Sequence, residues 1–323
     1  MEKENRRGFF EAAYLGDNQF WRYLVVLLLV IVGYFIGQVP FLLVTVYQTT
    51  TGAIDTDALQ QFQETADMGV LGLDYNLGLF LLLLAFAVGL VFLSLGVEFV
   101  HRRSWRTLVN YSGRFNFSKI LYGFSLWLFL AFLAEVPFLV MHWDAYEFQF
   151  EPLRFFVLLL IALSVLPLQT TMEEFFFRGW LMQGFGLVFG ARIFPLLMSS
   201  LLFGLVHMAN PEVVNYGLVN MMTYYIMAGL FLGLITILDD SLDLALGVHF
   251  ATNFYAAVFV TYEHAALKTW SLFRYTEELN VGAMNIAFFV LALVFILLAS
   301  KKFNWDFNIV FQKVVKPNDD EQV

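Results

Sequence analysis

Eight long runs of apolar residues dominate this sequence and limit what the chain can fold into. A helix crosses the roughly 30 Å hydrocarbon core of a bilayer with about 20 such residues, so each run is close to spanning length. The chain is 60% hydrophobic, whereas soluble domains are about 45–50% apolar. We therefore predict an all-α fold, a polytopic integral membrane helical bundle of about eight transmembrane helices. The predicted spans lie near residues 21–47, 77–99, 120–141, 155–182, 192–209, 216–238, 241–261 and 283–300.

Composition excludes several functional classes. The chain has 27 acidic and 18 basic residues and a net charge of −9, so no basic surface is left to bind nucleic acid. It contains no cysteine, which rules out thiol nucleophiles, disulfides and cysteine-ligated zinc. Any chemistry must therefore come from carboxylates, imidazoles, hydroxyls and amides.

The connections between the predicted spans differ in their basic residues, which predicts an orientation in the membrane. Lys and Arg are concentrated in the N-terminal segment, in the connection after the second span and in the tail: Lys3, Arg6, Arg7, Arg22, Arg102, Arg103, Arg106, Arg114, Lys119, Lys301, Lys302, Lys313 and Lys316. Residues 48–76 carry acids but no basic residue, whereas 262–282 is a contrary loop that holds Lys268 and Arg274. By the positive-inside rule we predict a multi-pass protein of the bacterial cytoplasmic membrane, with both termini in the cytoplasm.

The fourth predicted span contains the motif TMEEFFFRGW, with three charges inside an apolar run. Glu174 and Arg178 are four residues apart and lie on one helical face, so they can form an ion pair that only stabilises the span. Glu173 lies about 100° around the helix and has no cation at helical spacing. A carboxylate in apolar surroundings suits a general base or acid, although a purely structural role for Glu173 stays open.

Two later spans add polar residues at helical spacing. FGLVHM places Phe203 one turn before His207, and HFATN places His249 one turn before Asn253. Taken singly, these residues are compatible with hydrogen-bonded packing between helices. Taken together with Glu173, they form a set suited to hydrolysis: Glu173 and His207 for activating water, His249 and Asn253 for binding an oxyanion.

These three motifs resemble those of the CPBP family of intramembrane proteases, which includes the type II CAAX prenyl endopeptidases and bacteriocin self-immunity proteins. EEFFFR at 173–178 fits E-E-x-x-x-R, FGLVH at 203–207 fits F-x-x-x-H, and HFATN at 249–253 fits H-x-x-x-N. The order and spacing also fit, and the resemblance covers roughly residues 120–262. It implies an endopeptidase that cuts a peptide bond within the membrane.

The resemblance also implies a role for each motif residue. Glu173 and His207 would activate the hydrolytic water, His249 and Asn253 would bind the oxyanion, and Glu174, Arg178 and Phe203 would support them. The predicted organisation is then a cytoplasmic segment (1–19), N-terminal transmembrane helices (20–118), the protease domain (119–262), the last connection and C-terminal helix (263–302), and a cytoplasmic tail (303–323).

Whether a metal takes part is a separate question. Glu173, His207 and His249 could hold zinc and leave one position open for water. Against this, the sequence lacks H-E-x-x-H, and the spans hold no spare carboxylate to orient each histidine. We therefore favour a glutamate-driven mechanism that requires no cofactor, with zinc as the alternative.

Two functions from other classes compete with the protease. A proton-coupled transporter would use buried Glu and His residues as a relay, and a non-catalytic immunity or scaffold protein would use them to hold helices together. The expected partners of the protease are the lipid bilayer and a protein or peptide substrate, lipid-modified substrates included, and no nucleic acid.

Simple counting along the spans raises a difficulty of depth. If the fourth span runs inward and the fifth outward, Glu173 lies in the inner half of the membrane and His207 nearer the outer surface. The two can cooperate only if the stretch 155–188 is long or broken. We further expect Asp239, Asp240 and Asp243 to form a short exposed connection, and assign no role to His101, His142 and His264.

Overall fold

The computed structural model describes residues 7–266 and 268–317, which are mostly helical. Within these ranges the α-helices are α1 (Phe20–Thr50), α2 (Thr56–Thr65), α3 (Tyr75–Leu95), α4 (Phe117–Met141), α5 (Pro152–Ser164), α6 (Leu166–Glu174), α7 (Gln183–Phe189), α8 (Ile193–Val206), α9 (Pro211–Tyr216), α10 (Leu218–Asp239), α11 (Asp243–Val258) and α12 (Val281–Phe303). Two π-helical stretches, Gly96–Val100 and Phe175–Met182, continue α3 and α6.

Six helical segments of the described chain are long and apolar enough to cross a membrane. They are Phe20–Thr50, Tyr75–Val100, Phe117–Met141, Pro152–Phe189, Leu218–Asp239 and Val281–Phe303, and they indicate an integral, multi-pass membrane protein. The two other predicted spans, 192–209 and 241–261, correspond to α8 and α11, with 14 and 16 residues. At 1.5 Å per residue these helices are about 21 and 24 Å long, shorter than the hydrocarbon core. The structure therefore has six helices of spanning length, and eight spans are not shown.

A small sheet lies at one end of the bundle, where α4 and α11 end and where α10 and α12 begin. Its strands are β1 (Tyr146–Phe148), β2 (Val260–Tyr262) and β3 (Phe273–Tyr275), in the order β1-β3-β2. β1 pairs with β3 antiparallel, and β2 pairs with β3 parallel. The fold is thus mostly helical rather than entirely so, because strands of three residues are too short to leave a period-2 pattern in a sequence. We call this end of the bundle the sheet face.

The segment Pro152–Phe189 has 38 residues, about 57 Å at helical rise, and is broken as the sequence suggested. α5 ends at Ser164, and Pro167 occupies the first turn of α6, where its missing N–H costs no hydrogen bond. After Glu174 the helix widens into the π-helical stretch, and Gly190 ends α7 at a φ of 70°. The segment is therefore longer than a crossing of the roughly 30 Å hydrocarbon core requires.

The opposite end of the bundle, which we call the basic face, is covered by three segments of the chain. They are residues 8–15, residues 103–109 and residues 305–314, which contribute buried apolar side chains to the main core. Phe9 and Phe10 are fully buried there, so the N-terminal segment packs as part of the bundle. The domain boundaries proposed from the sequence stay predictions.

The connection between α10 and α11 at the basic face differs from its expected exposure. Asp239 and Asp243 are buried, and Asp240 is half-buried. Lys119 pairs with Asp239 at 2.7 Å, and the backbone N–H of Phe9 donates to Asp240 at 2.9 Å. The expectation of an exposed connection was wrong, since other parts of the chain cover these carboxylates and supply their partners.

Candidate active site

One cavity of about 910 Å³ is lined by side chains of α1, α3, α4, α6, α10, α11 and α12 and of the end of α8. Its lining includes all four side chains predicted to act in hydrolysis, which come from three different segments: Glu173 from α6, His207 from the end of α8, and His249 and Asn253 from α11. Phe203 also lines the cavity. The structure thus brings the three motifs together around one space.

Glu173 is buried, with 9% of its surface exposed, and is held by a neighbour one turn earlier in α6. The amide of Gln169 donates to Oε1 of Glu173 at 2.6 Å. The oxygen of the same Gln169 amide accepts from Nδ2 of Asn253 at 2.9 Å. Gln169 therefore connects the predicted base on α6 to the predicted oxyanion donor on α11, using both ends of its amide.

Glu174 lies behind the cavity and joins Arg178 to His249. Its Oε1 accepts from Arg178 at 2.7 Å and from Nδ1 of His249 at 2.7 Å, and Glu174 and Arg178 are both fully buried. The predicted ion pair between Glu174 and Arg178 is present. Because an ionised carboxylate only accepts hydrogen bonds, Nδ1 of His249 must carry a proton. The expectation that no carboxylate is available to orient a histidine was wrong for His249.

Arg178 is fixed by two further contacts besides Glu174. It donates to the backbone carbonyl of Gly229 in α10 at 3.2 Å, and its guanidinium lies 4.5 Å from the ring centre of Phe203. Removing one partner of a buried ion pair costs about 3–5 kcal/mol, because the other charge is left unpaired. Arg178 therefore ties α10 and α8 to the helix that carries both glutamates.

The second nitrogen of His249 faces the other glutamate. Its Nε2 lies 3.4 Å from Oε2 of Glu173. Glu173 and His249 are thus neighbours at the cavity wall.

His207 reaches the cavity from the end of α8 and is oriented by two aromatic rings. Its Nδ1 contacts the Phe203 carbonyl at 2.6 Å, which requires an Nδ1–H donor and leaves Nε2 to face the cavity. The Tyr225 ring stacks on the imidazole at 4.4 Å with an interplanar angle of 25°, and the Phe203 ring lies at 4.5 Å. Tyr225 in turn accepts from Asn210 at 2.9 Å and donates to Glu212 at 2.8 Å.

The difficulty of depth between Glu173 and His207 is resolved by the position of the turn. The chain reverses at Gly190, and Glu173 lies 17 residues before it while His207 lies 17 residues after it. Two antiparallel arms of equal length, each about 25 Å at helical rise, bring their ends to the same level. The long fourth segment and the short α8 are the features that allow this match.

The candidate metal ligands do not form a binding group in the described part of the chain. No set of three or more His, Asp or Glu side chains there is close enough to hold a metal ion. Glu173 and His249 are neighbours, but His207 is not close enough to both of them to complete a set of three ligands. The arrangement does not fit the zinc alternative, and no step of the mechanism below depends on a metal.

Three residues of the site were not identified from the sequence: Gln169, Tyr225 and Glu212. Gln169 could have been found, because it lies four residues before Glu173 and therefore on the same helical face. Tyr225 and Glu212 contact His207 directly or indirectly from α10 and α9, and no spacing in the sequence connects them to it.

The region that contains the three motifs matches a known protein family. A family model of type II CAAX prenyl endopeptidases, Rce1-like, matches residues 152–255, which contain all three motifs. The chain belongs to the Rce1-like type II CAAX prenyl endopeptidase (CPBP) family, so the predicted resemblance is confirmed.

A particular relative extends the match over most of the chain. The sequence is 32% identical over 250 residues to the uncharacterized protein YyaK of Bacillus subtilis (strain 168). The aligned region covers 76% of this chain and 80% of the relative. No solved structure matches the chain. Family membership indicates a peptidase, since the family is one of endopeptidases.

Proposed function

We propose that this protein is an intramembrane endopeptidase that hydrolyses a peptide bond with a water molecule activated by Glu173 and His207. The observation that carries the proposal is the convergence of Glu173, His207, His249 and Asn253 on one cavity. Most of the cavity is lined by apolar side chains, which suit a peptide chain, and the polar side chains of the site lie at the inner end of the cavity. The family match supports the same reaction class.

Water activation is assigned to Glu173 and His207. Glu173 takes a proton from the attacking water, and Nε2 of His207 accepts the second O–H and orients the molecule. The hydroxyl oxygen then attacks the peptide carbonyl carbon, and the carbonyl electron pair moves to its oxygen. Glu173 passes the proton to the leaving nitrogen when the C–N bond breaks, which leaves a carboxylic acid and an amine; the acid then loses its remaining O–H proton to Nε2 of His207 and becomes a carboxylate.

Oxyanion stabilisation is assigned to His249 and Asn253. With Nδ1 bound to Glu174, a protonated His249 can donate through Nε2 to the carbonyl oxygen. The Asn253 amide, which donates to Gln169 without substrate, supplies a second N–H from the same face of α11. Donors fixed before the reaction need no reorganisation when negative charge develops.

The proposed setting of the reaction is the interior of a bacterial membrane. We propose that α8 and α11 complete a bundle of eight membrane helices, and that both termini lie in the cytoplasm of a bacterium. The substrate is a protein or peptide that reaches the cavity within the bilayer. Lipid-modified substrates are included in this class.

Mapping of new protein N-termini in membrane fractions tests the function. Cells expressing the wild type, Glu173→Gln and His207→Ala are compared, with Glu64→Gln as the matched control, since Glu64 is exposed on α2. We expect at least one new N-terminus that appears with the wild type and the control and disappears with both site variants.

Two other outcomes would reject the protease. Identical N-termini in all four strains, with normal amounts of each protein, would favour a non-catalytic scaffold. Proton-coupled uptake into liposomes that contain the purified protein, abolished by Glu173→Gln, would favour a transporter.

A further inference from the structure

The cavity reaches the surface at one end of the bundle. Its lining includes residues that lie where α4 ends and where α12 begins, at the sheet face: Phe138, His142, Tyr146, Tyr275, Asn280 and Ala283. His142 and Asn280 are exposed, whereas Glu173 and His249, at the inner end, are buried. The exposed lining residues thus lie at the sheet face and, with Tyr34 of α1 and Val206 of α8, on the side of the bundle that faces lipid.

The basic face contributes no lining residue in the described part of the chain. Residues 8–15, 103–109 and 305–314 cover this face and are closely packed. The backbone N–H of Leu242 donates to the carbonyl of Val109 at 2.9 Å, and Arg103 donates to the carbonyl of Ala12 and to Gln183. Glu11 and Arg192 form a buried ion pair at 3.0 Å. These packed segments close the cavity at this end of the bundle.

Basic residues divide sharply between the two ends. On the described sheet face they are Arg154, Lys268 and Arg274, and each of these is paired with a carboxylate of the same face. On the basic face they are Arg7, Arg22, Arg102, Arg103, Arg106, Arg114, Lys119, Arg192, Lys301, Lys302, Lys313 and Lys316. The loop 262–282, which holds Lys268 and Arg274, is thus a minor exception to the charge pattern. By the positive-inside rule, the basic face is the cytoplasmic one.

From these observations we infer that the cavity is entered from the extracytoplasmic side of the membrane. Resting on the proposed function, this assigns the substrate to one class: proteins that are exported or membrane-anchored and that present the cleaved segment at the outer surface. A soluble cytoplasmic protein would meet the closed basic face.

The absence of cysteine from the chain makes a direct labelling test simple. Single cysteines replace Ala53 on a sheet-face loop, Ala283 at the cavity mouth, Ala228 deeper in the cavity, and Ser112 on the basic face. Ala53 and Ser112 are exposed, while Ala228 and Ala283 are half-buried and line the cavity. Intact cells of a bacterial host are treated with a membrane-impermeant maleimide before and after permeabilisation.

We expect Ala53→Cys, Ala283→Cys and Ala228→Cys to react in intact cells. Ser112→Cys should react at least tenfold more after permeabilisation than before it. The pattern should be the same when Glu173→Gln is added, because labelling does not require catalysis. A failure of the protease assay would therefore leave this result unaffected.

Three results would overturn the inference. Labelling of Ser112→Cys in intact cells with protection of Ala53→Cys would reverse the orientation. Labelling of Ala228→Cys only after permeabilisation, with Ala53→Cys already reactive, would place the entrance on the cytoplasmic side. Protection of Ala228→Cys both before and after permeabilisation would mean that the cavity is not open to water.

Discussion

Two adjacent glutamates in one helix have different surroundings and, we propose, different tasks. Glu174 is fully buried and bonded to both Arg178 and His249, so its charge is fixed by partners. Glu173 faces the cavity, accepts a hydrogen bond from a neutral amide and lies 3.4 Å from an imidazole nitrogen. The 100° turn between neighbouring helical residues is enough to give one carboxylate a structural setting and the other an open one.

Tyr225 is expected to act as a positioning residue for His207 through its ring. Tyr225→Leu removes the stacking partner and should lower kcat at least tenfold, or about 1.4 kcal/mol, with a smaller change in KM. Tyr225→Phe keeps the ring and loses only the hydroxyl bonds to Asn210 and Glu212, so this variant should keep most of the wild-type activity.

The measurement is the rate of formation of the mapped cleavage product by purified protein in liposomes. Equal activity of Tyr225→Leu and the wild type would contradict the positioning role. Equal losses for Tyr225→Leu and Tyr225→Phe would shift the role from the ring to the hydroxyl.

At the scale of elements, the site depends on a hairpin whose arms have matched lengths. The π-helical stretch after Glu174 widens the first arm, and such stretches often occur at functional sites. The second arm, α8, has only 14 residues, and its end brings His207 to the cavity that Glu173 lines. The short helix is therefore a requirement of the site.

The turn between these arms should be sensitive to the backbone of one residue. Gly190 has a φ of 70°, and a Cβ placed there would meet nothing within 4 Å, so only the backbone opposes a side chain. Gly190→Ala should lower the free energy of unfolding by about 1–2 kcal/mol, the cost of the left-handed conformation. The midpoint of thermal unfolding in detergent measures this change.

Gly282→Ala is the matched control, because Gly282 lies in the first turn of α12. It should leave the midpoint unchanged or raise it slightly, since alanine is the better helix former. A destabilisation by Gly282→Ala as large as that by Gly190→Ala would contradict the role of the turn.

Sequence reasoning predicted helices at all eight apolar runs and predicted the residues of three motifs, because hydrophobic runs and helical spacing are local properties. It placed the depth of His207 poorly, since it assumed that each run crosses the whole membrane. It missed Tyr225 and Glu212 because contacts between helices depend on how the helices are rotated against each other. The three-residue strands left no pattern to read.

At the scale of the whole molecule, the cover of the basic face ties the N-terminal segment to the long fourth segment through His101. Its Nδ1–H donates to the carbonyl of Asp17 at 2.8 Å, and its Nε2 accepts from the indole of Trp180 at 3.0 Å. The bond from Trp180 needs an unprotonated Nε2 and therefore the neutral ring, and burial lowers the pKa of His101 to about 4.

This buried histidine should make stability depend on pH. Because the folded pKa lies below the unfolded value of about 6.5, the unfolded chain binds more protons between pH 6.5 and 4. The stabilisation is complete above pH 6.5 and is lost as the pH falls towards 4, by about 2 kcal/mol between pH 7 and pH 5.

Thermal unfolding in detergent across this range measures the effect. His101→Gln should flatten the dependence, whereas His142→Gln, at an exposed position, should leave it as in the wild type. An equally steep loss of stability in His101→Gln would assign the pH dependence to other groups.

The most direct test of the central claim is hydrolysis by the purified protein in liposomes prepared in H₂¹⁸O, with a peptide that spans the mapped cleavage site. We predict one ¹⁸O atom in the new carboxylate and a rate at least about 100-fold lower for Glu173→Gln, the usual contribution of a general base. The control Glu64→Gln should match the wild type. Cleavage by Glu173→Gln at the wild-type rate, or no cleavage by the wild-type protein, would contradict the account.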